Sequence, residues 1–146
     1  MALWLKILKV NERQAELEFQ ACFARALYSV PKAVSDAIEV DVNRSFNGLQ
    51  AVSARNLNSI LKTYAIVNPA LGYCQGMNFI AGFLFLATGS EALAFAVLKE
   101  LVEKFDMGNL FDQELPMLKL NFYLLDRLIG VLLSDLHAHF KVRPPI

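Results

Sequence analysis

Apolar residues that return every third or fourth position, segment after segment, constrain this chain more than any other feature of its sequence. From Ser53 onward, Leu57, Ile60, Leu61 and Tyr64 fall at i, i+3, i+4 and i+7, the stripe of an amphipathic helix. Asn68-Pro69 closes it, because the residue before a proline is pushed out of the α region. The same period recurs on both sides. Trp4, Leu5, Ile7 and Leu8 make an apolar first turn or two, and Leu17, Ala21, Ala24 and Tyr28 form a stripe within Glu12 to Tyr28. Phe19 and Phe23 give a second stripe beside it. Pro31 suits the first turn of a helix, where its missing N–H is not needed. Val34, Ala37, Ile38 and Asp41 then share a face, and Arg44 continues that line.

Phe46-Asn47-Gly48 is a turn signal, and Phe79 to Ala87 is the most apolar run, ended by Gly89-Ser90-Glu91. Met77, Phe79 and Phe83 read as core. Ser90 can cap the next helix, with Glu91 near its positive end and Phe95, Leu98, Val102 and Phe105 on its buried side. Asp106 to Leu115 reads as loop. Pro116 opens a last long helix with the stripe Leu118, Phe122, Leu125, Ile129, Leu132 and Leu136. Leu124, Leu128 and Val131 widen that stripe, so this helix should be covered on more than one side. No alternating strand pattern and no repeat interrupts the series. The fold predicted is all-α and multi-helical.

Composition narrows the function. With 146 residues, 55% apolar and 19% charged, the chain can bury a core and is not expected to be disordered. Fourteen basic residues balance 14 acidic ones, and no basic cluster stands out. A nucleic-acid partner is not expected, because phosphate binding needs a concentrated positive face. Cys22 and Cys74 lack metal-ligand spacing and read as reduced thiols. His137 and His139 lie two apart, on different sides of a helix, so no metal site is expected. Lys6 breaks the apolar N-terminal run and no cleavage site follows, which argues against secretion. Without secretion the sequon Asn43-Arg44-Ser45 has no meaning. The run from Phe79 to Ala87 is too short for a membrane span, which needs about 20 residues.

Polar groups gather where the apolar segments begin and end. Gly72 permits a sharp turn after Asn68-Pro69, and Gln75 stands at the entrance of the next helix, backed by Phe79, Ile80, Phe83 and Leu84. Some thirty residues earlier stand Ile38, Asp41 and Arg44. Written as Ile38-x-x-Asp41-x-x-Arg44 and Tyr73-x-Gln75, these residues resemble the two signature motifs of the TBC domain, the module that activates Rab-type small GTPases. Tyr73-Cys74-Gln75-Gly76-Met77 matches the longer form of the second. Each short pattern alone is weak. Order, separation and helical context together make the match strong.

The resemblance implies a GTPase-activating protein. As the γ-phosphoryl group leaves, charge shifts onto oxygens that a small GTPase stabilises poorly by itself. An arginine inserted from a partner supplies fixed charge and several donors, worth roughly 10³ to 10⁵ in rate. A side-chain amide can aim the attacking water by donating and accepting together. Arg44 and Gln75 are the residues to which these roles carry over, Gln75 standing in for the GTPase's own glutamine. Asp41 would orient the Arg44 region through a charge-assisted bond, and Tyr73 would pack the loop that presents Gln75. Ile38 and Gly76 are supporting positions, Gly76 allowing close packing. Blander readings stand beside these. Asp41 and Arg44 alone could be an ordinary surface pair worth a few tenths of a kcal/mol. Gln75 alone could bond its own backbone at a helix entrance.

The resemblance covers residues 1–146 as a partial TBC-like domain, shortened at its C-terminus and at its N-terminus. Ser45 stands where the family often has threonine, and Asn47 replaces a common proline. The expected partner is a Rab-type GTPase, which carries the GTP and magnesium, so the chain has no cofactor of its own. It has no nucleophile–base pair and is not expected to be a hydrolase by itself. The expected location is cytoplasmic, with recruitment to endomembranes through the GTPase or flanking regions and no transmembrane segment. The alternative is a non-catalytic helical module that binds small GTPases or other partners without accelerating hydrolysis.

Overall fold

The structure, a computed structural model, describes residues 2–46, 51–105, 107–111 and 115–142. Met1, the turn residues Asn47 and Gly48, Asp106 and the terminal Arg143-Pro144-Pro145-Ile146 lie outside the described residues. Among the described residues there are eight α-helices and no strand: α1 (Ala2–Leu8), α2 (Glu12–Ser29), α3 (Lys32–Arg44), α4 (Ala54–Val67), α5 (Met77–Thr88), α6 (Glu91–Lys104), α7 (Pro116–Leu132) and α8 (Ser134–Val142). A short 3-10 turn, Met107–Leu110, lies within the segment read as loop. The helices fall into two units, residues 1–107 and 108–146.

In the first unit α4 is the central helix, packed against α2, α3, α5 and α6. Its stripe is the one the spacing predicts: Leu57, Ile60, Leu61 and Tyr64 are all fully buried. A capping box starts it. The Asn56 N–H donates to Ser53 Oγ, and the Ser53 N–H donates to Asn56 Oδ1, each at 3.2 Å. Asn56 Nδ2 also donates to Glu91 Oε1 at 2.7 Å, joining the starts of α4 and α6. On α6, Ser90 Oγ accepts from the Leu93 N–H, and Phe95, Leu98 and Val102 are buried. Phe105 was expected on that buried side but is exposed. The helix ends at Lys104, so Phe105 leaves the helical face.

Two further expectations are corrected here. On α2 the stripe Leu17, Ala21, Ala24 and Tyr28 faces solvent, with Tyr28 90% exposed. The core takes the other stripe: Ala15, Phe19 and Ala26 are buried, and the Phe19 ring stacks on Phe23 and meets Phe95 of α6, both at 5.7 Å. Two rings bury more apolar area than two alanines, so the aromatic side turns inward. On α5, Phe79 and Phe83 are 58% and 66% exposed, although the sequence reads them as core. The inward face is Met77, Asn78, Ala81, Gly82 and Leu84. This helix is apolar all round, so periodicity cannot choose its side, and the small Ala81 and Gly82 allow the closest approach.

In the second unit the predicted long helix is two helices. The chain leaves α7 at Leu133 (φ −136°, ψ 60°) and restarts as α8, so Leu136 does not share a helix with Leu132. The His137 ring sits beside Gly130, where a Cβ would come within 3.2 Å, and His137 Nε2 lies 3.0 Å from Asp126 Oδ1. No residue of α7 is buried, contrary to the expectation that it is covered on more than one side. No helix among the described residues is long and apolar enough to cross a membrane.

Candidate functional site

The site begins where α3 runs out. Ile38, Asp41 and Val42 face inward from this helix, and Arg44 is its last residue. Asp41 is a carboxylate at a buried position (5% exposed), which needs partners for both oxygens. It has them. Oδ1 accepts from Arg44 Nη2, and Oδ2 accepts from the Tyr73 hydroxyl at 2.6 Å. Asp41, Arg44 and Tyr73, three of the residues named from the sequence, therefore meet in one hydrogen-bonded group. The Arg44 side chain remains 57% exposed even though its terminal Nη2 is engaged by Asp41.

A second layer runs behind. Ser45 Oγ donates to the Asp41 carbonyl, and Asn78 Nδ2 donates to Ser45 Oγ at 2.6 Å. Asn78 Oδ1 accepts from the Gly76 N–H at 3.0 Å. Gly76 precedes α5 with φ 104°, a left-handed conformation that L side chains rarely adopt. Gln75 is exposed at this entrance, and its side chain makes no hydrogen bond among the described residues. Ile38 is fully buried beneath. The two motifs, over 30 residues apart in sequence, are thus joined by two sets of hydrogen bonds.

The exit from α3 is held by an aromatic plug. Phe46 adopts φ 53°, unusual for a residue with a Cβ, and its ring lies against Gly82 and 5.9 Å from the Phe79 ring. A Cβ on Gly82 would come within 2.2 Å of that ring. A larger residue at position 82 would require that ring to move.

Burial, and then the Asp41 carboxylate that accepts its hydrogen bond, hold the Tyr73 hydroxyl far above its ordinary range. It stays protonated and donates. Burial and Asp41 also push the Cys74 thiol up, which opposes a thiolate there. Cys22 and Cys74 are both free. No group of three His, Cys, Asp or Glu among the described residues is arranged to hold a metal. Asn78 was not among the residues singled out from the sequence, and Ser45 was noted only for standing where the family often has threonine. The signal for Asn78 was an amide between the apolar Met77 and Phe79, where a polar group must find partners.

The first unit thus offers an exposed arginine and an exposed amide from helices joined by one set of hydrogen bonds. Comparison with known proteins gives the family. A family model described as the Rab-GTPase-TBC domain matches residues 1–143, and the chain belongs to that family. TBC1 domain family member 1 of Homo sapiens is 36% identical over 113 residues, covering 72% of this chain and 9% of that protein. The GTPase-activating protein GYP5 of Eremothecium gossypii is 30% identical over 113 residues, covering 77% of this chain and 14% of its own length. Growth hormone-regulated TBC protein 1 of Xenopus tropicalis is 35% identical over 104 residues, 64% of this chain and 30% of that protein. The crystal structure of the Chlamydomonas flagellar RabGAP TBC domain superposes with a TM-score of 0.76 at 25% identity, over 94% of this chain and 47% of that one. The chain thus spans less than a third of these relatives and about half of the solved domain.

Proposed function

We propose that the chain is the part of a Rab GTPase-activating protein that supplies Arg44 and Gln75 in trans. Arg44 reaches the phosphates and takes up charge as the γ-phosphoryl bond breaks. Gln75 orients the attacking water in place of the GTPase's own glutamine. The nucleotide and its magnesium ion come with the GTPase, and the chain contributes no hydrolytic centre of its own. The setting is cytoplasmic, at endomembranes to which the GTPase or flanking regions bring it. The observation that carries this reading is the Asp41 carboxylate, which holds Arg44 with one oxygen and the Gln75 loop, through Tyr73, with the other. Such a junction ties together the two segments that carry these exposed groups before any partner arrives, the pre-organisation that electrostatic catalysis requires.

Single-turnover GTP hydrolysis by a panel of GTP-loaded Rab proteins tests it. At least one should be accelerated by the unmutated chain, and Arg44→Ala should remove most of that acceleration while leaving much of the binding. Acceleration that survives Arg44→Ala would overturn the mechanism. Binding without acceleration would make the chain a helical interaction module instead.

A further inference from the structure

We infer that Asn78 and Ser45 form a positioning pair that sets the separation between Arg44 and Gln75, and this inference rests on the reading just proposed. Asn78 is 2% exposed and Ser45 8%, so neither touches a partner. A buried asparagine on an otherwise apolar face is costly unless its amide is used. Here both ends are used, and on different segments. Nδ2 donates to Ser45 Oγ, one residue beyond Arg44, and Oδ1 accepts the Gly76 N–H, one residue beyond Gln75. Ser45 passes the connection on by donating to the Asp41 carbonyl.

The Asp41 to Tyr73 bond alone would leave the junction a hinge. It joins the two segments through a phenol that stands two residues before Gln75. The Asn78 bridge adds a second attachment on the far side of Gln75, at the backbone, and two attachments remove that freedom. The Gly76 N–H it captures belongs to a residue whose left-handed φ aims the preceding peptide, and so aims Gln75. An amide suits the position, because it donates from one atom to Ser45 and accepts at another from Gly76. At Ser45 a hydroxyl is required, and threonine serves as well.

The test uses the whole chain and the Rab protein it accelerates most. Asn78→Ala and Ser45→Ala should each lower the saturated single-turnover rate at least tenfold. The activator concentration giving half the effect should change less than twofold, because the binding surface is untouched. Ser45→Thr should restore the rate. The double variant should be no worse than Asn78→Ala, since the two residues act as one unit. Hydrogen exchange without any GTPase gives a second reading: the Gly76 amide should exchange at least tenfold faster in Asn78→Ala, with α4 and α6 protection unchanged. Should Asn78→Ala unfold, Ser45→Ala against Ser45→Thr carries the comparison. A rate within twofold of the unmutated chain in folded Asn78→Ala or Ser45→Ala, alongside the expected collapse in Arg44→Ala, would overturn this inference and spare the mechanism. Full rate in Arg44→Ala would overturn the mechanism itself, whatever the exchange data give.

Discussion

At the residue scale the junction turns on which group each side chain must satisfy. Arg44→Lys should recover less than a tenth of the rate lost in Arg44→Ala, because an ammonium cannot reproduce the planar fork of donors. Gln75→Ala should cost as much as Arg44→Ala, and the double variant scarcely more, since losses within one unit do not add. Single-turnover kinetics on all three variants checks both statements. Tyr73 allows a test without any GTPase. Its hydroxyl donates to a buried carboxylate oxygen, and removing it in Tyr73→Phe should cost about 1.5–3 kcal/mol at neutral pH. The pH dependence has a definite sign. The folded state holds Tyr73 and Cys74 above their ordinary values of 10.0 and 9.0, so the native protein binds protons that the unfolded chain has begun to release. The stability involved is fully present below pH 9 and is lost as the pH rises through and beyond the two ordinary values. Urea titrations between pH 8 and 11 should show this fall, and Tyr73→Phe should flatten its upper part. The sequence offered Ile38, Asp41, Arg44, Tyr73, Gln75 and Gly76 as candidates, because together they resemble the two motifs of a known family. That Asp41 joins Arg44 to Tyr73, and Asn78 joins Ser45 to Gly76, was not legible. A bond between residues over 30 positions apart leaves no periodicity behind.

At the scale of elements, the helices announce themselves and their faces do not. The period of α4 gave both its existence and its buried side, because one stripe was apolar and the other polar. On α2 two stripes competed, and on α5 nearly every residue was apolar. There the choice fell to what lay opposite: Phe95 for α2 and the Phe46 ring for α5. The break at Leu133 was also hidden, since apolar residues run through it on both sides. The α5 case can be tested by substitution. Gly82→Ala forces the Phe46 ring away and should cost about 1–3 kcal/mol in denaturant unfolding, as overpacking does. Phe46 follows Ser45 directly, so the same change should also lower GTPase stimulation. Pairing it with Phe46→Ala, which empties the space the new methyl needs, should give a double variant less destabilised than the sum of the two. Additive losses would show that the ring does not press on Gly82.

At the scale of the molecule, large apolar side chains face water on α5 and throughout α7. Phe79, Phe83, Phe122, Leu125 and Leu132 are each more than half exposed. Exposed apolar surface of this kind, on each unit by itself, drives association. The isolated chain should therefore sediment as more than a monomer at micromolar concentration, and Phe83→Ser with Leu125→Ser should shift it toward the monomer. A single monomeric boundary for the unmutated chain would count against this. One further consequence follows from how α2 is covered. Its inner face meets α6, and Lys99 reaches back to Glu18 across 81 positions, as Lys104 reaches the Leu8 carbonyl across 96. A ribosome adds about 5–20 residues each second. The Phe19 and Phe23 rings therefore leave the ribosome well before α6 exists, and wait roughly 4–16 seconds for it. During that interval they are the surface a chaperone would find.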